Sequence, residues 1–164
     1  MAGKFRGYTC DIVKDNKQIV LRFITELWNG RRLDVADELF AADCVTNQLR
    51  SGEPTTTAPR SSEHMKEHLR GWLAAFPVLQ LTCEHMLAEG DLVFTSTVLD
   101  GTHQGAWAGV PATGKRVNIR SMVVHRIAGG KIREDWVLAE SLGFLQQLGV
   151  APATTEMLAK VGRK

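Results

Sequence analysis

The sequence is poor in tyrosine, with one in 164 residues, and in cysteine, with three. Cys10, Cys44 and Cys83 are scattered, odd in number and free of C-x-x-C spacing. Neither a disulfide framework nor a zinc knuckle is expected from them, and they read as reduced, small hydrophobic side chains. No stretch reaches the ~18 apolar residues of a membrane helix. Residues 1–16 interleave Lys4, Arg6, Asp11, Lys14 and Asp15 where a secretory leader would be apolar, so a cytoplasmic protein with no membrane partner is expected. Neither sign of charge dominates: 20 Lys and Arg against 18 Asp and Glu leave +2, which advertises no nucleic-acid surface. Also missing are G-x-G-x-x-G, G-x-x-x-x-G-K-[ST], G-x-S-x-G and a cysteine beside a credible base. Nucleotide-dependent and triad chemistry therefore lack support, and no cofactor and no metal are expected.

What is present is an ordinary folding composition, 44% hydrophobic and 23% charged, with 4 Trp and 6 Phe. The length suits one domain over residues 1–150 and a loosely attached tail over 151–164. Ile19, Val20, Phe23, Ile24, Leu27 and Trp28 recur at helical spacing, with Asp15 or Asn16 able to cap the helix and Gly30 able to end it. Asp34 opens a second, short helix through Val35, Ala36, Leu39 and Phe40, and an irregular stretch follows from Asp43. Residues 50–60, with two prolines and three consecutive threonines, have loop composition. Ser61 or Ser62 caps a third helix whose stripe is Met65, Leu69, Trp72, Leu73 and Phe76, ended by Pro77.

From Val78 the period becomes alternating, with Leu79, Leu81, Cys83, His85 and Leu87 on one face. Strands are predicted over 78–87, 92–99, 102–108, 116–127 and 132–139, then a helical turn over 142–148. Helices first and an antiparallel meander second predict an α+β fold, three N-terminal helices covering one face of a curved antiparallel sheet.

Three constellations can carry chemistry. His64-Met65-Lys66-Glu67-His68 matches H-x-x-E-H, a zinc pattern, yet no second helix offers a further ligand. In the last hairpin, a three-residue Gly129-Gly130-Lys131 loop pairs Ala128 with Ile132 and so His125 with Asp135, whereas a two-residue loop sets His125 opposite Glu134. In the first register Ser121, Val123, His125, Asp135, Val137 and Ala139 share one face, and Met122, Val124, Trp136 and Leu138 the other. A carboxylate beside an imidazole suits general acid/base work if that face lines a pocket; otherwise the two form a cross-strand polar pair. The third is Thr102-His103-Gln104-Gly105-Ala106-Trp107, where a strand glycine marks a bulge or close approach that can aim His103 inward. Trp107, Trp72, Trp28 and Trp136 offer flat walls for a planar ligand or plain core.

Trp28-Asn29-Gly30, Asp43-Cys44-Val45, Gly101-Thr102-His103-Gln104-Gly105, Gly109-Val110-Pro111-Ala112-Thr113-Gly114-Lys115, Arg126-Ile127-Ala128-Gly129-Gly130-Lys131-Ile132 with Trp136, and Leu142-Gly143 running to Gln147-Leu148-Gly149 are collinear over residues 16–150. Together they resemble the SnoaL-like polyketide cyclase family. The resemblance implies the cone-shaped α+β fold of the nuclear-transport-factor-2 superfamily, a homo-oligomer (dimer or tetramer) and a deep apolar pocket. It also implies cofactor-independent aldol cyclisation of a polycyclic or polyketide-like intermediate of antibiotic biosynthesis. Hydroxylation of such an intermediate, or binding alone, are the alternatives. The family's acid/base Asp and His positions hold Val137 and Val123 here, while His103 falls on a histidine that such cyclases carry. Asp135, His125 and His103 are accordingly the expected catalytic residues, and Trp107, Trp72, Asn47, Ser121 and Glu140 the expected substrate contacts.

Overall fold

A computed structural model of the chain describes residues 10–49 and 54–161. The leader reading at residues 1–9, part of the threonine–proline loop at 50–53 and the end of the tail at 162–164 lie outside them.

The first helical pattern forms α1, Cys10–Arg22, which runs on as a π-helical segment, Phe23–Asn29. Asn16 is therefore interior and not a cap: its Nδ2 donates to Gly90 O at 3.1 Å, tying the helix to a strand turn. Next come α2, Val35–Leu39, and α3, Ser62–Ala75, with Ser61 in the extended N-cap position. Six strands form one curved sheet: β1 Phe40–Gln48, β2 Thr56–Pro59, β3 Gln80–Glu89, β4 Leu92–Thr102, β5 Arg116–Ala128 and β6 Lys131–Ala139, in the order β2-β1-β6-β5-β4-β3. Two short helices, α4 Ser141–Leu148 and α5 Thr154–Val161, complete the chain. The α+β architecture with helices packed on the sheet matches the expectation.

Several details differ from it. The sheet is not wholly antiparallel, because β1 runs parallel to β6. The stretch from Asp43 is strand: its pairing with β6 joins residues almost ninety positions apart, which local periodicity does not reveal. The threonines of the supposed loop form an edge strand, where β-branched side chains fit and terminal Pro59 needs no ladder N–H. Residues 103–108 are not a strand: β4 ends at Thr102, and the chain turns through Ala108 and Gly109, both at positive φ, closed by a Trp107–Val110 bridge. In β3 a bulge at Glu84 reverses the alternation, so Leu87 is exposed while Met86 and Ala88 pack inward. The tail carries α5, none of whose side chains is buried.

The β5–β6 hairpin turns through two residues, not three. Gly129 and Gly130 lie at φ 60° and 72°, and Ala128 faces Lys131. A bulge then takes up Arg133, so that Ile127 faces Ile132 but Arg126 faces Glu134 and His125 faces Asp135. The expected pair forms by a different route.

Gly105 is the close approach anticipated from its position. Its N–H donates to Ala75 O at 3.0 Å, beside the 2.8 Å bond from Gln104, and a Cβ there would run into the carbonyl of Ala74. The backbone on both sides is held, so the clash has no cheap relief. Gly105→Ala is expected to destabilise the protein by roughly 1–3 kcal/mol, read as a lowered urea midpoint with unchanged slope.

Candidate functional site

A cavity of about 780 Å³ lies between the inner face of the sheet and the helices, within the range of sites that enclose small molecules. Its sheet wall is the face anticipated from alternation: Ser121, Val123 and His125 of β5, and opposite them Ala139, Val137 and Asp135 of β6. Thr95, Thr97 and Leu99 of β4 extend that wall, Thr97 Oγ1 and Ser121 Oγ lying 2.8 Å apart. Phe23, Ile24 and Trp28 come from the π-helical turn, a widened coil of the kind common at functional sites. Met65, His68 and Trp72 come from α3, Trp107 from the turn after β4, and Phe144 from α4. Aromatic rings run along this side in contact: Trp28 to His68 at 6.0 Å, His68 to Trp72 at 6.3 Å, Trp72 to Trp107 at 5.8 Å and Trp107 to Phe144 at 4.7 Å.

Few polar groups interrupt the apolar lining, and four of them have no partner. Among the described residues, Trp28 Nε1, Arg60 Nε, His125 Nδ1 and Asp135 Oδ1 are buried without a hydrogen bond, and all four residues line the cavity. Buried polar atoms in folded proteins are almost always paired; a fifth unpaired atom, His103 Nε2, lies away from the cavity. Burial sets their chemistry. It pushes His125 down to about 4, its ring packed edge-on to Phe23 at 5.6 Å, and the imidazole is neutral at neutral pH. It raises Asp135 above the usual carboxylate range, against the opposing pull of the Thr46 hydroxyl and the Arg60 guanidinium. His68 is likewise driven to about 4 by burial and then by Arg60.

The other expected site residues divide. Trp72, Trp107, Ser121 and Glu140 line the cavity, with exposed Glu140 at its rim beside Leu138 and Leu142. His103 does not line it. Fully buried, its ring stacks on Phe76 at 5.0 Å and its Nδ1 lies 3.1 Å from Thr113 Oγ1, because the Gly105 approach anchors its segment to the end of α3. Asn47 also stands outside, bonded to Glu134 Oε1 at 3.0 Å and Asp135 O at 3.2 Å while Thr57 donates to its Oδ1. Trp136 lies on the opposite sheet face under the Arg126 guanidinium at 5.3 Å. The H-x-x-E-H histidines, both exposed, part company: His64 lies 2.7 Å from Ser61 Oγ, and His68 opens into the cavity. Burial pushes the Cys44 thiol up to about 12, which leaves it a poor nucleophile.

Sequence reasoning missed Arg60 and His68 as site residues. His68 had a signal, since it sits three residues after Met65 and four before Trp72 on the same helical stripe. Arg60, a lone cation at the end of an unrecognised strand, had none.

Residues 18–148 match the family described as SnoaL-like polyketide cyclase. The chain belongs to that family. No curated protein matches the sequence. Solved structures similar to this SnoaL-like chain include AclR of Streptomyces galilaeus, a candidate hydroxylase: 28% identical, covering 92% of this chain and 93% of AclR, TM-score 0.75. IdmH of Streptomyces antibioticus, a candidate polyketide cyclase, is 28% identical over 82% of this chain and 99% of its own, TM-score 0.68. A candidate SnoaL-like polyketide cyclase of Jannaschia sp. CCS1 shares the fold at 21% identity, covering 90% and 100% of the two chains, TM-score 0.75. Members of the family bind small polyketide substrates. No helix among the described residues is long and apolar enough to cross a membrane.

The buried imidazole of this SnoaL-like cavity makes stability depend on pH. Folded His125 stays neutral down to about pH 4, while an ordinary histidine of the unfolded chain takes its proton near 6.5. Between those values the unfolded chain holds more protons, so stability falls as pH drops, by ~3 kcal/mol over the whole window. Urea midpoints between pH 7 and 4.5 should fall less steeply in His125→Gln than in the wild type; identical slopes would refute the assignment.

Proposed function

We propose that this protein closes a ring in an apolar, polycyclic polyketide-like intermediate by aldol addition, with Asp135 and His125 moving the protons. The observation that carries this reading is the unpartnered pair itself: Asp135 Oδ1 and His125 Nδ1, on residues directly opposite across two strands, both in the wall of one apolar cavity. They stand one same-face step from Val123 and Val137, which face each other in the same register and which the family resemblance sets at the acid/base positions.

The reaction is redox-neutral and needs only proton movement. The Asp135 carboxylate, made more basic by burial, removes a proton beside a substrate carbonyl, leaving the electron pair as an enolate. The enolate carbon attacks a second carbonyl carbon, a C–C bond forms, and the resulting alkoxide takes a proton back. Neutral His125 can give its Nδ1–H to that alkoxide and be reprotonated by the carboxylic acid that Asp135 has become, so that both side chains return to their starting states. Val123, Val137 and the aromatic wall exclude water and strengthen each of these contacts.

Hydroxylation is a second reading, favoured by one observation: the similarity to AclR extends over 92% of the chain. Oxygen uptake with a hydroquinone form of the substrate would separate it from ring closure. Homo-oligomerisation through the face carrying exposed Met122 and Leu138 fits either reading, and sedimentation as a monomer would remove it.

Asp135→Asn is expected to lower the rate of ring closure of an open polyketide intermediate by ~10²–10⁴-fold. The same substitution should leave Tm unchanged or raise it by roughly 2–4 °C. A carboxyl whose folded value is raised opposes folding once it ionises, and the neutral amide does not. Undiminished turnover would refute the role.

A further inference from the structure

We propose that Arg60 anchors a carboxylate, so that the cavity takes an aromatic or polycyclic acid and not a neutral molecule. The inference rests on the cavity being the substrate site and adds the charge of what enters it. Arg60 follows edge strand β2 and is pinned there by its own N–H, which donates to Cys44 O at 2.7 Å. The ion pairs of the described residues lie largely at the protein surface, and none includes Arg60. Its Nη1 stands 4.0 Å from Met65 Sδ, and its Nε is buried with no acceptor.

The guanidinium is half-buried in an apolar cavity wall and forms no ion pair among the described residues, so it is open to a counter-charge brought by a ligand. Asp135 acts on the guanidinium only through space, with its own Oδ1 unpartnered. His68, the other titratable neighbour on this wall, is neutral and supplies no negative charge. Cys44 is held as the thiol by burial. The partner this inference assigns to Arg60 is an anion that arrives with the ligand. The planar guanidinium offers paired N–H donors, which fit the two oxygens of one carboxylate. The rings of Trp28 and Trp72 on either side of His68 would hold a flat hydrocarbon body beside that group.

Titration calorimetry at pH 7.5 with anthracene-2-carboxylate and with its methyl ester tests the inference on the intact protein. The wild type should bind the acid at least about tenfold more tightly than the ester. Arg60→Gln should erase that preference while leaving the ester's affinity within about threefold. A structural arginine would lower Tm when replaced, whereas an anchor with no partner in the empty protein leaves Tm of Arg60→Gln and Arg60→Met unchanged or higher. Equal affinity for acid and ester in the wild type, binding of neither, a preference that survives in Arg60→Gln, or a fall in Tm of both variants would each overturn it. None of these outcomes reads turnover, so proton transfer by Asp135 stands or falls separately on Asp135→Asn.

Discussion

The hairpin of β5 and β6 turns through two glycines, and a two-residue turn left to itself would bring Glu134 opposite His125. One extra residue, Arg133, is taken up as a bulge just past the turn, and every later residue of β6 changes face. Asp135, Val137 and Ala139 thereby enter the cavity, while Glu134 is directed to Arg126 and Asn47 at the other side of the strand. The chemistry of the site depends on that slip, because a carboxylate opposite a buried imidazole differs entirely from one in an ion pair at the surface.

A cavity of this size lined by tryptophan and phenylalanine persists only because rigid elements hold its walls apart. The π-helical turn pushes Phe23 and Trp28 toward the sheet from one end, and α3 and α4 bring Trp72 and Phe144 from the other. Each ring leans on its neighbour edge-on or tilted, the geometry aromatic quadrupoles favour. Within that frame the unpartnered atoms of Trp28, Arg60, His125 and Asp135 are costly, at about 1–3 kcal/mol for each buried polar group left unmade. The stability is supplied elsewhere, by the continuous core of Val20, Leu27, Leu39, Leu69, Phe76 and Ile132.

Legibility followed the range of the forces involved. Helices α1 to α4 and strands β3 to β6 were readable because their periods of 3.6 and 2 are local properties of the chain. Strand β1 was not, since Phe40–Gln48 has the interrupted burial of a bulged strand and pairs with β6 in parallel, far away in sequence. Of the candidate residues, His125, Asp135, Ser121, Trp72, Trp107 and Glu140 reached the cavity. His103 was drawn under Phe76 by the Gly105 approach, which the sequence marked without showing that it leads away from the cavity, and Asn47 was spent on joining β1, β2 and β6. Arg60 stayed invisible because a lone cation after a stretch of loop composition gives no local signal that it lines a cavity.

By itself, the sequence determined the class of fold and the family, because these follow from periodicity and collinear motifs; it left His125 between two registers, and the bulge at Arg133 set it opposite Asp135. Only the tertiary structure decided that the pair faces a cavity, that Arg60 and His68 join it there and that His103 does not. Facing, burial and the loss of water are set by what packs above a strand, and those neighbours come from α1, α3 and α4, far along the chain.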